Sequence, residues 1–295
     1  MKRYLFLFAM MVFVATSFAQ RRLVIYFSES GTTEKVAQQL LSILDKQVAQ
    51  DVKDKDANSR VKSWKIEPVE PYSGNFQETM QRVQRENQAG TLPKIKPLGE
   101  SSDKKSVPFD VADYDVIFLG YPIWGGTYAS PITSLLKMYD FSGKKIVPFC
   151  TFGSGGLETS TADLKKALPN SEILPGFGIR AARVDAAPKE LLRFLGENGY
   201  VSEKVSGKIK SLPAYSAQQP VTDAEKAIFD AACSNYQFPL GTPQTFGKRT
   251  TDDSIDYEFK VKSQGFGGGG ASTSTIYVTV GKEANAKPEF TRVVR

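Results

Sequence analysis

From Ser28 to Thr33 the chain reads Ser-Glu-Ser-Gly-Thr-Thr, a run that leads from a short apolar segment directly into an amphipathic one. Hydroxyls and main-chain N–H groups at a helix start hold anions, because those N–H groups have no intrahelical acceptor and the helix dipole is positive there. The run contains no lysine or arginine, the cation a nucleoside triphosphate site uses. It suits a terminal phosphate monoester held by N–H and O–H donors alone, and an ordinary Ser/Thr helix cap is the plain alternative.

Two further glycine-bearing runs follow apolar segments. Gly120-Tyr121-Pro122-Ile123-Trp124-Gly125-Gly126 reads as a loop at the end of a third strand, where aromatics beside glycines suit a flat ring. Trp124 or Tyr121 would stack on the ring, while Gly125 and Gly126 let main-chain groups approach its edge. Thr151-Phe152-Gly153-Ser154-Gly155-Gly156 ends a fourth strand; alone it is a glycine turn. Three such loops after three strands, one fit for phosphate and two for a planar ring, form a constellation that each lacks singly.

Positioning them requires parallel strands with the loops on one edge. Strand-like segments at 22–28, 61–66, 115–120, 145–151 and 173–180 alternate with helical ones at 33–45, 76–88, 131–138, 160–168 and 188–196, of which 76–88 is polar. That alternation predicts a doubly wound α/β domain with a five-stranded parallel sheet over residues 22–200, its ligands at the carboxyl edge. The Pro/Lys/Ser-rich stretch up to Pro108 reads as a surface loop.

After a linker over 201–220 the pattern changes. Thr222 and Glu225 stand in capping-box spacing ahead of a helix with Ala224, Ala227, Ile228 and Ala231 on one face. Ile255, Tyr257, Phe259 and Val261 then alternate with charged residues, as do Ile276, Val278 and Val280 with Tyr277 and Thr279. A small α+β module over 221–295 is expected, with a helix on the dry face of an antiparallel sheet and a hairpin loop at Gly267 to Gly270.

Composition narrows the chemistry. The 295 residues include no histidine, which excludes serine-histidine and cysteine-histidine catalysis and removes the commonest metal ligand; no metal site is evident. Lys2 and Arg3, an apolar run from Tyr4 to Val14 and Ser17-Phe18-Ala19 predict a signal peptide over 1–19, hence export to the periplasm or another extracytoplasmic site. No transmembrane segment follows it. Removing the leader lowers the formal charge from +6 to +4, with 36 basic residues against 32 acidic. The basic residues are scattered, without the stripe that nucleic acid requires. Cys150 and Cys233 are too few for a disulfide framework and are expected to be unpaired. Gly176 to Ala181 and Gly265 to Gly270 match the loose dinucleotide glycine pattern but open no helix after a strand.

Ser28 to Thr33, Gly120 to Pro131 and Phe149 to Gly156 closely resemble the three flavin-contacting segments of flavodoxin-like proteins, in particular a bacterial subfamily with a Gly-Tyr-Pro-Ile-Trp signature. The resemblance spans about Leu23 to Gly199. It implies FMN, with the phosphate on Ser28, Ser30, Gly31, Thr32 and Thr33. The ring would lie between Tyr121, Pro122, Ile123, Trp124 and Gly125 on one side and Thr151, Phe152, Gly153, Ser154 and Gly155 on the other. It further implies electron transfer at the flavin, with no catalytic side chain of the protein's own. Flavodoxins are typically acidic and cytoplasmic, whereas this chain is mildly basic with an export leader, so no familiar partner is implied.

Three readings follow for function. An electron carrier would bury the ring and expose one edge; an FMN-dependent oxidoreductase, reducing a small acceptor such as a quinone, would keep an open pocket flanked by Tyr128 and Arg180. A flavin-free binding module in the cell envelope would use the fold and its C-terminal sheet for recognition. That C-terminal module is loosely similar to cystatin-like folds, without any implied inhibition. Neither electron donor nor acceptor is identifiable from the sequence.

Overall fold

The computed structural model describes residues 20–51, 61–99, 110–236, 238, 240–263 and 272–295. The leader and the Gly267 to Gly270 hairpin loop lie outside the described residues.

The first strand, β1 (Arg22–Tyr26), shows how the central sheet is built. Leu23 and Ile25 enter one core, Val24 and Tyr26 the other, and all four are buried. A strand covered on both faces is apolar throughout, which is why this run shows no polar alternation. Helix α1 (Thr32–Asp51) follows, burying Val36, Ala37, Leu40, Ile43 and Leu44 at helical spacing. Next come β2 (Lys62–Lys65), α2 (Phe76–Ala89), β3 (Val116–Trp124), β4 (Thr127–Tyr128) and α3 (Ser130–Met138). Then β5 (Lys145–Phe152), α4 (Leu157–Ala167), β6 (Glu172–Ile173), β7 (Phe177–Arg180), α5 (Ala187–Glu197) and α6 (Glu203–Ser206) complete the first domain.

Strand order is β2-β1-β3-β5-β6, with β7 also on β5 and all of these pairs parallel. The chain leaves β1 toward β2 and returns on its other side as β3, so the winding reverses between β1 and β3, where open α/β sheets bind ligands. Helices α1 and α5 cover one face around Val24, Phe118 and Phe149, and α3 and α4 cover the other around Ile25, Leu119 and Tyr121.

The second unit comprises β8 (Gln219–Pro220), α7 (Asp223–Cys233), β9 (Thr242–Thr250), β10 (Ser254–Ser263), β11 (Ser272–Gly281) and β12 (Glu289–Val294). It is an antiparallel sheet in the order β12-β11-β10-β9-β8. Tyr257, Phe259, Val261, Ile276 and Val278 form its core with Phe229 of α7.

Four local expectations change. Gly120 to Trp124 is not a loop: β3 runs through Trp124, the turn falls at Gly125-Gly126, and β4 folds back with Ile123 opposite Tyr128. The fifth strand is broken into β6 and β7: between the pairs Ile146–Ile173 and Phe149–Phe177 two residues of β5 face three of the fifth strand, and Gly176 passes so close that a Cβ there would lie 2.7 Å from the Pro148 ring. The described part of the stretch before Pro108 is no surface loop, since Ile95 bridges Pro68 and is buried with Leu98 against the core. On α7 the alanines Ala224, Ala227 and Ala231 face solvent, while Phe229 enters the core with Ile228, Ala232 and Cys233 beside it. The larger side chain sets the face because it removes more apolar area from water.

Candidate anion and ring site at the sheet edge

Ser28 to Thr32 carries the chain from β1 into α1, and Gly31 makes the turn at φ +82°, a conformation that favours glycine. The Ser28 Oγ is buried and has no hydrogen-bond partner among the described residues, an uncommon state for a buried hydroxyl. Ser30 and Thr32 share a hydrogen bond of 3.0 Å at the surface, and Thr33 Oγ1 reaches Thr151 Oγ1 at 2.8 Å within the core. The structure thus brings all five cradle residues to the start of α1.

No cation of the described residues reaches into this turn. Lys35 is paired with Asp185, and Lys65 with Glu34 at 2.7 Å. Glu29, within the cradle, is turned toward α2: its Oε1 accepts from the Gly74 N–H at 3.2 Å and from the Thr79 hydroxyl. Asn75 caps that helix, its side chain accepting from Gln77 and Glu78 N–H groups, so the carboxylate of Glu29 sits beside a helix N-terminus that offsets its charge.

The aromatic residues are placed differently from expectation. Tyr121 is wholly buried and donates to Ser160 Oγ at 3.2 Å, so its ring is not available for stacking. Burial holds its phenol well above the usual tyrosine range. Trp124 is 7% exposed and meets Phe27 edge-on at 5.3 Å and Tyr72 at 4.9 Å. Phe152 is also buried and packs where Gly178 leaves room, a Cβ there lying 2.8 Å from its ring. These side chains build the floor, and it is the main chain of their loops that reaches the edge. Pro122, Ile123 and Ser154 are partly exposed, Gly125 and Gly153 exposed.

Tyr72, which the sequence did not single out, closes this aromatic group from the segment before α2. Its hydroxyl hydrogen-bonds Glu86 Oε2 at 3.0 Å and Ser130 Oγ at 3.1 Å, and the Arg82 guanidinium lies over its ring at 4.1 Å. Burial, opposed by the Ser130 hydrogen bond and reinforced by the Glu86 carboxylate, pushes its pKa up to about 12.

The hairpin and the third loop meet directly: a Cβ on Gly156 would lie 2.7 Å from the Ile123 side chain. The third loop also touches the C-terminal module, where Val293 N–H donates to Ser154 C=O at 2.8 Å. Arg180 joins both, its Nε donating to Gly153 C=O at 2.7 Å and its Nη1 to Phe290 C=O at 2.9 Å. Nothing local in the sequence signals the Val293 contact.

A doubly wound parallel sheet with a Ser/Thr/Gly turn at its switch point and glycine-bearing loops beside it defines the class, an open α/β protein. A family model described as Flavodoxin matches residues 21–191, and the chain belongs to that family. Among solved structures, a candidate flavoprotein of Bacteroides eggerthii is 24% identical, with 61% of this chain and 98% of that chain covered and a TM-score of 0.44. A Lactobacillus acidophilus flavoprotein in complex with FMN is 21% identical, with 57% and 98% covered and a TM-score of 0.40. Flavodoxin 2 of Bacillus cereus, in its oxidised form, is 19% identical, with 58% and 94% covered and a TM-score of 0.33. No curated protein matches the chain.

Proposed function

We propose that this protein binds FMN at the sheet edge and, outside the cytoplasm, carries electrons or reduces a small acceptor such as a quinone through it. The orphaned Ser28 hydroxyl carries this reading, because a phosphate oxygen is the acceptor it lacks. The N–H groups that open α1 and the hydroxyls of Ser30 and Thr32 would supply the remaining donors for the phosphate. Main-chain groups of Gly125, Gly153, Ser154 and Gly155 would edge the ring over the floor of Trp124 and Phe152.

The bound flavin would supply the redox chemistry; the protein's part is to hold the phosphate, exclude water from one side of the ring and set its potential through hydrogen bonds. Membership of the flavodoxin family and the Lactobacillus acidophilus flavoprotein solved with FMN support the choice of cofactor. Export rests on the Lys2-Arg3 and Tyr4 to Val14 pattern. No helix of the described residues is long and apolar enough to cross a membrane.

The test is the visible spectrum and FMN titration of the chain from Gln20 onward, beside Thr32→Glu, which puts a repelling charge in the cradle. Flavin bands and micromolar or tighter binding, lost in the variant, are expected. A folded protein that takes up no FMN would overturn the reading and leave the flavin-free binding module in its place.

A further inference from the structure

The third loop is held at two adjacent carbonyls, one by Arg180 at the end of β7 in its own domain and one by β12 of the C-terminal module. Gly153 C=O accepts from Arg180 and Ser154 C=O accepts from the Val293 N–H of β12. In a trans peptide the N–H points opposite the C=O, and no cis peptide occurs among the described residues. Drawing the Gly153 carbonyl toward Arg180 and the Ser154 carbonyl toward β12 therefore turns the Ser154 N–H away from Arg180 and the Gly155 N–H away from β12. Neither N–H has an acceptor among the described residues.

The seat is close-fitting. A Cβ on Gly155 would lie 2.2 Å from the Val293 carbonyl oxygen, so β12 runs directly against the loop backbone. The Arg180 guanidinium lies over the Phe290 ring at 4.3 Å while donating to the Phe290 carbonyl, which fixes it between the domains. Arg183 adds a pair to Glu289 at 2.9 Å, and Arg292 one to Glu158 at 3.2 Å.

We infer that Arg180 and the β12 backbone at Val293 are positioning groups that aim the Ser154 and Gly155 amides at the ring of the bound flavin, so that the C-terminal module completes the flavin site. This rests on the FMN reading above. The chemistry is that of two fixed donors facing a ring that gains negative charge on reduction: they stabilise the reduced form more than the oxidised one.

Val293→Pro removes one N–H at an edge position where it serves the loop and not the β11 ladder, and Arg180→Met removes the second tether with similar bulk. Arg180→Lys keeps one donor. FMN and riboflavin affinities and the midpoint potential of the bound flavin are measured for each, with a thermal melt confirming the fold. V293P and R180M are each expected to weaken both ligands by the same factor, about tenfold, because the loss is at the ring and not the phosphate. The potential should become more negative, and R180K should restore part of both effects.

Wild-type affinity and potential in the variant that folds, with FMN bound normally by the parent, would overturn the inference and leave the FMN reading standing. A parent protein that binds no flavin overturns both.

Discussion

Thr33 Oγ1 and Thr151 Oγ1 lie 2.8 Å apart in the core, joining the first turn of α1 to the end of β5 beneath the sheet edge. Both side chains are buried, at 1% and 3% exposure, so neither hydroxyl can turn to water if its partner is lost. Thr33→Val and Thr151→Val should each cost about 1–3 kcal/mol in urea unfolding, and the double variant far less than their sum. Additive losses would show that the pair is not coupled.

Glu29 sets a charge in the phosphate cradle and turns it toward Gly74 and Thr79. Glu29→Gln keeps an oxygen acceptor for those donors and removes the charge, so FMN should bind more tightly by about 1 kcal/mol, roughly fivefold, with the gain shrinking in salt. Riboflavin, which lacks the phosphate, should not respond. Equal changes for both ligands would place the effect in the loop's shape instead.

The half-buried phenol of Tyr72 makes a pH prediction. Its folded pKa is raised to about 12, mainly by burial, from an ordinary value of 10.0. Stability from keeping it neutral is complete below about pH 10 and is lost as pH climbs through about 12, because the unfolded chain gives up that proton first. A pH series of denaturant midpoints should fall over that window, and less steeply in Tyr72→Phe. An identical slope in the variant would move the alkaline loss to other groups.

Cys150 and Cys233 are both free thiols. Cys150 is fully buried and its pKa is pushed far up by burial, while burial raises that of the partly exposed Cys233 to about 12. A thiol reagent at pH 8 should therefore react slowly with the native protein, first at Cys233, and rapidly with two thiols once urea is present. Fast reaction at Cys150 would show that the central sheet opens.

The central domain is legible because β1, β3 and β5 are nearly uninterrupted apolar runs and α1 and α5 carry an apolar stripe, as Leu23 to Tyr26 and Val36 to Leu44 illustrate; the polar edge strand β2 and helix α2 carry less signal. Gly120 to Trp124 misled because glycine and proline punctuate it. Beyond Gly120 the strand β3 has outrun β1, so Pro122 owes no N–H to that neighbour. Trp124 and Tyr121 suit ring stacking by their type, yet the core also recruits aromatics, and only the contacts of Trp124 with Phe27 and Tyr72 and of Tyr121 with Ser160 decide between the two uses. The clamp of Val293 on Ser154 was illegible, since no periodicity links residues in different domains.

That clamp also orders events in time. All parallel strands of the flavodoxin domain are in the chain by Arg180, yet the residue that seats the third loop comes more than a hundred positions later. Contacts between segments so far apart form late, after local sheet and helix pairs have closed. A refolding chain should thus acquire its α/β ellipticity before a fully shaped ring pocket, and flavin fluorescence quenching should lag behind secondary structure.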